Sequence, residues 1–232
     1  YLHSVNTIAK TPCTMKRFTL FLWLTLFVQP LLAAGPWVCT RPGTRLEYVQ
    51  RMGGDVVATQ TKRVESAEGG EVVLRTEIQG VEAAERWTVT AEATTLRMEP
   101  PRELYEMLGS LGVERVECSG GDFAIPASPA PGDRLDGFSF SLSGELQGER
   151  MQVRVVADDC RAEAVERIET PAGAFDALRI VLRTTTYVTG MPPRAMVMTQ
   201  WVARGVGLGR QEIPLPELET SLVQELTEIV NP

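Results

Sequence analysis

Strict two-residue alternation is the feature that most limits what this chain can fold into. Phe138-Ser139-Phe140-Ser141-Leu142-Ser143 takes apolar and hydroxyl side chains in turn without a break. Successive side chains of a strand point to opposite faces, so this pattern asks for a sheet with one covered side. The same period recurs elsewhere. Val72, Leu74, Thr76 and Ile78 fall on one face, with Arg75 and Glu77 on the other. After Phe175, residues Leu178, Ile180, Leu182, Thr184 and Thr186 oppose Arg179, Arg183, Thr185 and Tyr187. Gly53-Gly54-Asp55, Gly69-Gly70, Gly144, Gly148 and Gly190 cut the runs at hairpin spacing. About ten to twelve strands are expected, without alternating long helices, which argues for an antiparallel meander over βαβ units.

Three segments read differently. Leu104, Met107, Leu108 and Leu111 are spaced like one face of a short helix over residues 102–111. Ser119 to Asp133, rich in Gly and Pro, reads as a long loop crossing from one part of the sheet to another. Leu218, Leu222, Leu226 and Ile229 suit a helix after Pro216, while the Thr and β-branched residues among them suit a closing strand.

The opening of the chain reads as targeting. Lys16 and Arg17 precede an apolar run from Phe18 to Val28, and Gln29-Pro30 breaks it before Ala33-Ala34-Gly35. That three-part layout is a secretory signal peptide over residues 15–34, too short for a good membrane span. No transmembrane span is expected once it is removed. Residues 1–14 read as upstream sequence outside the natural protein. Residues 35–232 then form one β-rich domain, exported to the periplasm or beyond. Lipid attachment would need small residues before a Cys, and Cys39 follows Pro36-Trp37-Val38.

Charge and residue types narrow the chemistry. The net charge is −7, and all 30 acidic residues follow Gly35. Losing Lys10, Lys16 and Arg17 with the leader makes the rest more negative still, which disfavours nucleic acid and anionic lipid surfaces. Lys62 is then the only lysine, read as coding bias in an arginine-rich chain. The single histidine, His3, precedes the leader, so Ser–His–Asp and Cys–His catalysis have no base. Cys39, Cys118 and Cys160 remain. In an oxidising compartment they suggest one disulfide and one free thiol, with Cys118–Cys160 favoured over the other two pairings. Without a C-x-x-C pair or histidine, no metal or other cofactor is implied. Gly205-x-Gly207-x-Gly209 runs into Arg210 with no helix following, which fails as a nucleotide fingerprint. Asp158-Asp159, with Glu163 and Glu166 nearby, is the one arrangement that could serve a carboxylate hydrolase. It reads more simply as a polar turn.

The run from Glu169 through Pro171, Gly173 and Phe175 to Ile180 is the most distinctive in the chain. With Trp201-Val202-Ala203-Arg204-Gly205-Val206-Gly207-Leu208 and the opening Pro42-Gly43-Thr44 to Tyr48, it resembles the TapB-like group of bacterial exported proteins. There a P-A-G-x-F turn enters a long strand, and a W-x-A-x-G-V-G-L hairpin precedes a closing strand. The resemblance touches the start and last third of the mature chain. It implies a mainly β protein, a single strongly curled antiparallel sheet shaped like an open or half barrel of the lipoprotein-carrier kind, with one short helix. It favours a strand at the C-terminus and implies no activity. Read physically, Pro171 and Gly173 shape a turn that lets Phe175 plug the core, and Gly205 and Gly207 shape a hairpin.

The expected function is therefore a non-catalytic binding or carrier protein of the bacterial envelope, holding an apolar or lipid-like ligand in a greasy concavity. Trp87, Phe138, Phe140 and Trp201 are the candidate lining residues. Arg179, Arg183 and Tyr187 read as a solvated outer row. The alternative is a scaffold that pairs an exposed sheet edge with an envelope protein.

Overall fold

The alternating runs become the strands of one sheet in a computed structural model that describes residues 35–97, 102–110 and 112–232. The strands are β1 (Arg45–Met52), β2 (Asp55–Glu68), β3 (Glu71–Ile78), β4 (Val81–Val89) and β5 (Ala93–Arg97). Helix α1 (Arg102–Ser110) follows, then β6 (Val113–Gly120), β7 (Phe123–Pro126), β8 (Arg134–Leu135), β9 (Phe138–Leu146) and β10 (Glu149–Thr170). The chain closes with β11 (Gly173–Val188), β12 (Arg194–Ala203), β13 (Gly207–Leu215) and β14 (Thr220–Val230). All pairings are antiparallel. The sheet thus has 14 strands, more than the sequence suggested, and the C-terminus is a strand. Residues 1–14 and 15–34, expected to be an upstream segment and a signal peptide, lie outside the described residues, as do Pro100-Pro101 and Leu111 beside the helix. Residues 35–232 form one compact unit. No helix among the described residues is long and apolar enough to cross a membrane.

Neighbour order is β6-β9-β10-β11-β12-β13-β14-β1-β2-β3-β4-β5-β7, with β8 on β10 beyond the end of β9. The two edges, β6 and β7, are consecutive in the chain and separated only by Gly121-Asp122. A two-residue step from one edge to the other is possible only if the sheet curls until its edges meet. The loop expected over Ser119–Asp133 does make this crossing, and it carries β7 within it. No ladder joins the edges, so the barrel is not closed by backbone pairing. Instead the rings of Phe123 on β7 and Phe138 on β9 meet edge to face, centroids 5.7 Å apart, while Gly121 N, donating to Ser139 O at 2.8 Å, carries the β6–β9 pairing up to the crossing.

Antiparallel order places the β1–β2, β3–β4, β9–β10, β11–β12 and β13–β14 tips at one end of the barrel. The β2–β3, β4–β5, β10–β11 and β12–β13 turns lie at the other. Face assignments follow the expected period. Val72, Leu74 and Thr76 are buried between exposed Glu71, Arg75 and Glu77, and Leu178, Ile180, Leu182 and Thr184 are buried on β11. The P-A-G-x-F turn joins β10 to β11. Gly173 adopts φ +132°, a region closed to most side chains, and Phe175 packs against two buried clusters.

The disulfide reading is not met. Cys39, Cys118 and Cys160 are free thiols. Cys118 stands within β6, opposite Leu142, which is opposite Val153 on β10. Cys160 is also mid-strand, seven residues past Val153, or roughly 20 Å along β10. A disulfide needs Cα atoms within about 7 Å. Cys39 packs in a different core cluster from Cys160. Burial, with Asp159 and Asp158 nearby, pushes the Cys160 thiol up to about 11. At pH 8 its thiolate fraction is then on the order of one in a thousand. Native thiol titration at pH 8 should modify Cys118 first and leave Cys160 unreacted until denaturant is added. Crosslinked peptides in a non-reducing map would contradict this.

Candidate functional site: the interior of the curled sheet

One end of the barrel is stoppered by the segment Gly35–Cys39, which has no periodicity to announce it. Trp37, Val38 and Cys39 are all buried. The Trp37 backbone N–H donates to Thr94 Oγ1 at 3.1 Å, and its indole Nε1 donates to the Pro126 carbonyl at 2.8 Å. The β12–β13 hairpin holds it from the other side. The Arg204 guanidinium lies 3.7 Å from the Trp37 ring centre and donates to Gly35 O at 2.7 Å and Ala127 O at 2.6 Å. Gly205 N donates to Pro36 O at 2.7 Å. Gly207, at φ +100°, lets the hairpin backbone settle beside Trp37 and Val38. The W-x-A-x-G-V-G-L motif is thus a clamp for the start of the folded unit.

Above this floor the barrel is hollow. A cavity of about 410 Å³ is enclosed by residues from eleven of the strands, within the range of small-ligand sites. Leu46, Trp87, Leu96, Phe123, Phe138 and Val202 make much of its wall apolar. Set into that wall is an ion pair, Lys62 Nζ to Glu85 Oε1 at 2.7 Å, with Thr76 Oγ1 donating to the same oxygen at 3.0 Å. The Lys62 ammonium also stands 5.8 Å from the centre of the Tyr48 ring. Burial alone would raise the Glu85 carboxyl. The Lys62 charge and hydrogen bond, with Thr76 and the Trp87 indole, outweigh it and hold the carboxyl below its ordinary value. Trp87 Nε1 nonetheless lacks full hydrogen-bond geometry to any partner. Tyr48, wholly buried, has its phenol raised by desolvation first, then by Glu85 and Cys39, and donates to Leu208 O at 3.0 Å.

Glutamines form a second polar feature. Gln50, Gln224, Gln211 and Gln200 stand opposite one another in register on β1, β14, β13 and β12. Gln224 Nε2 donates to Gln60 Oε1 at 2.6 Å, and Gln200 Nε2 to Gln211 Oε1 at 2.8 Å. On β1, β13 and β12 the apolar lining residues Tyr48, Leu208 and Val202 lie nearer the stoppered end. The belt therefore sits between the greasy floor and the hairpin tips. Those tips are themselves apolar. Met52, Val56, Val57, Val81, Leu146, Met151, Tyr187, Met191, Met196, Val197 and Leu218 are exposed there, and among the described residues only Val165 of the exposed large hydrophobics lies elsewhere.

The residues singled out in the sequence are divided by this geometry. Trp87 and Phe138 line the cavity. Phe140 is half-buried further along β9 and is not part of its wall. Trp201 is on the outer face of β12, opposite in parity to Met198, Gln200 and Val202. Its Nε1 donates to Glu166 Oε1 at 2.5 Å, and Arg210 lies over its ring at 5.5 Å. Arg179 joins the same outer network through Glu163 at 3.1 Å. Asp158-Asp159 is not a turn: it lies inside β10 at a bulge against β11, and Asp159 pairs with Arg161 at 2.9 Å. Glu163 and Glu166 are engaged with Arg179 and Trp201. Lys62, read from the sequence as coding bias, is an interior residue. Its parity with buried Val64 was the available signal.

Residues 105–213, from α1 to β13, match a family model described as DUF3108-like. This description differs from the TapB-like resemblance drawn from the motifs. No curated protein matches the chain. Among solved structures, the chain is similar to a Bacteroides fragilis protein provisionally described as exported, with a YmcC-like fold. That likeness is 17% identical with a TM-score of 0.64, covering 85% of this chain and 100% of the other. A Parabacteroides distasonis protein provisionally described as a lipoprotein is 16% identical with a TM-score of 0.67, covering 85% of this chain and 99% of that one. At such identities the likeness establishes the architecture, a YmcC-like curled antiparallel sheet.

Proposed function

We propose that this chain is an exported binding or carrier protein of the bacterial envelope that shelters an apolar or amphipathic ligand inside its sheet, without catalysis. The observation that carries this reading is the hollow interior. A core filled by its own side chains would have left a scaffold as the better account, and about 410 Å³ of largely apolar space is not filled. Export is supported by the leader-like Lys16-Arg17 and Phe18–Val28 pattern and by a folded unit that begins at Gly35. The apolar hairpin tips give a greasy ligand a path past the rim. The scaffold reading has little edge to use: β7 is four residues ending at Pro126, and β6 is bulged against β9 between Glu114 and Glu117.

The test is fluorescence titration of the processed protein with N-phenyl-1-naphthylamine. Saturable enhancement is expected. Met198 lines the cavity, so Met198→Trp should fill it and weaken probe binding by about tenfold or more while the fold survives. Folded protein that leaves this and other apolar probes dark would end the carrier reading.

A further inference from the structure

We infer that the cavity selects an uncharged amphiphile, its tail against the Leu46, Trp87 and Phe138 wall and its hydrogen-bonding head at the Lys62–Glu85 pair and the glutamine belt. The inference deepens the carrier reading and rests on it. A cavity meant only for hydrocarbon has no use for polar groups, since each buried one costs free energy unless partnered. This one carries an ammonium, a carboxylate and four carboxamides, from Gln60, Gln200, Gln211 and Gln224. Their existing bonds leave capacity unused. Lys62 spends one donor on Glu85, and the amide nitrogens of Gln60 and Gln211 donate to no described residue. Donors and acceptors are thus both on offer in one place.

Charge balance decides the head group. Lys62 and Glu85 already neutralise each other at 2.7 Å. A free carboxylate entering the cavity would either compete with Glu85 for the single ammonium, stranding one of two like charges, or remain unpaired in a poorly solvated space. A free cation would strand Lys62 in the same way. A hydroxyl, ester or amide head can donate to Glu85 and the glutamine carbonyls and accept from Lys62 and the glutamine amides, leaving the pair intact. The net charge of −7 on the whole chain adds to the bias against anions.

The experiment is competition against bound N-phenyl-1-naphthylamine by 1-monopalmitoylglycerol and by palmitate, each below its aggregation threshold at pH 7.5. The glycerol ester should displace the probe at about tenfold lower concentration than the acid. Glu85→Gln keeps the shape and an acceptor for Thr76 but frees the Lys62 charge, and should reverse the order in favour of palmitate. Lys62→Met with Glu85→Gln should bind the probe as the parent does and bring the two competitors together. Palmitate competing as well as the ester against the parent protein, or an unchanged order in Glu85→Gln, overturns the inference while leaving the carrier reading standing. A probe that never binds the parent removes both.

Discussion

Trp37→Ala is expected to destabilise the domain by about 3–5 kcal/mol, the usual cost of deleting a buried large aromatic. The ring is 3% exposed, and it is held on every side. Its indole N–H is bonded to Pro126 O, its backbone N–H to Thr94, and the Arg204 guanidinium carbon lies 3.7 Å from its ring centre. Truncation removes the contact area, leaves the Pro126 carbonyl without its donor and takes away the ring against which the Arg204 guanidinium packs. Burial already holds the Arg204 guanidinium below its ordinary value, so that side chain depends on the geometry of the clamp. For a domain of this size the loss corresponds to a fall in Tm of roughly 6–20 °C. Trp201→Ala is the comparison, since Trp201 is only half-buried, on the outer face beside the small cluster of Ile168, Ala177 and Ala203. Equal falls in Tm for the two variants would show that the Gly35–Cys39 segment does not secure the barrel floor.

Glu85→Ala should be the next most damaging change. It leaves the Lys62 ammonium facing an apolar cavity with no counter-charge. Breaking a fully buried pair costs about 3–5 kcal/mol, and these side chains retain 15% and 23% exposure, so about 2–3 kcal/mol is expected. Replacing both partners, Lys62→Met with Glu85→Leu, should recover most of that loss, because neither charge then needs solvating. The pair also predicts a pH dependence. The folded Glu85 carboxyl is held below its unfolded value of about 4.3, so its contribution is fully present above that pH. The contribution is lost as pH falls through the lower folded value. Urea midpoints at pH 7 and pH 3 should therefore differ less in Glu85→Gln than in the parent. An identical acid-side loss in both proteins would assign the dependence to other carboxylates.

Much of the sheet was legible because a strand imposes a period of two on any face that must be buried. β3 and β11 obey it over their central residues, on β9 only Phe138 to Phe140 do, and the P-A-G-x-F turn lies where its Pro and Gly place it. Parity could also have separated Trp201 from the cavity, since it falls between Gln200 and Val202, which line it. Prior expectation about residue type obscured it, as aromatics are assumed inward. The opposite error hid Lys62, whose interior position follows from Val64 two residues on. Polar residues at inward positions are the informative exceptions to an alternation pattern, because each must have a partner or a ligand to offset its desolvation.

The linear order of residues was enough to determine antiparallel strands, most of their turns and the absence of an imidazole after His3, since these depend on local conformation and on residue identity alone; Gly144, expected at a turn, lies instead inside β9 opposite Met151. Closure of the sheet depended on distance in space. The step from β6 to β7 brings the edges together, and it is this curl that turns a covered face into a hollow lined from eleven strands. The stopper of Trp37 under Arg204, the meeting of Lys62 with Glu85 and the separation of the three thiols all join or part residues far apart in the chain. No periodicity encodes such contacts, because they arise only when strands pair in register and the sheet bends back on itself.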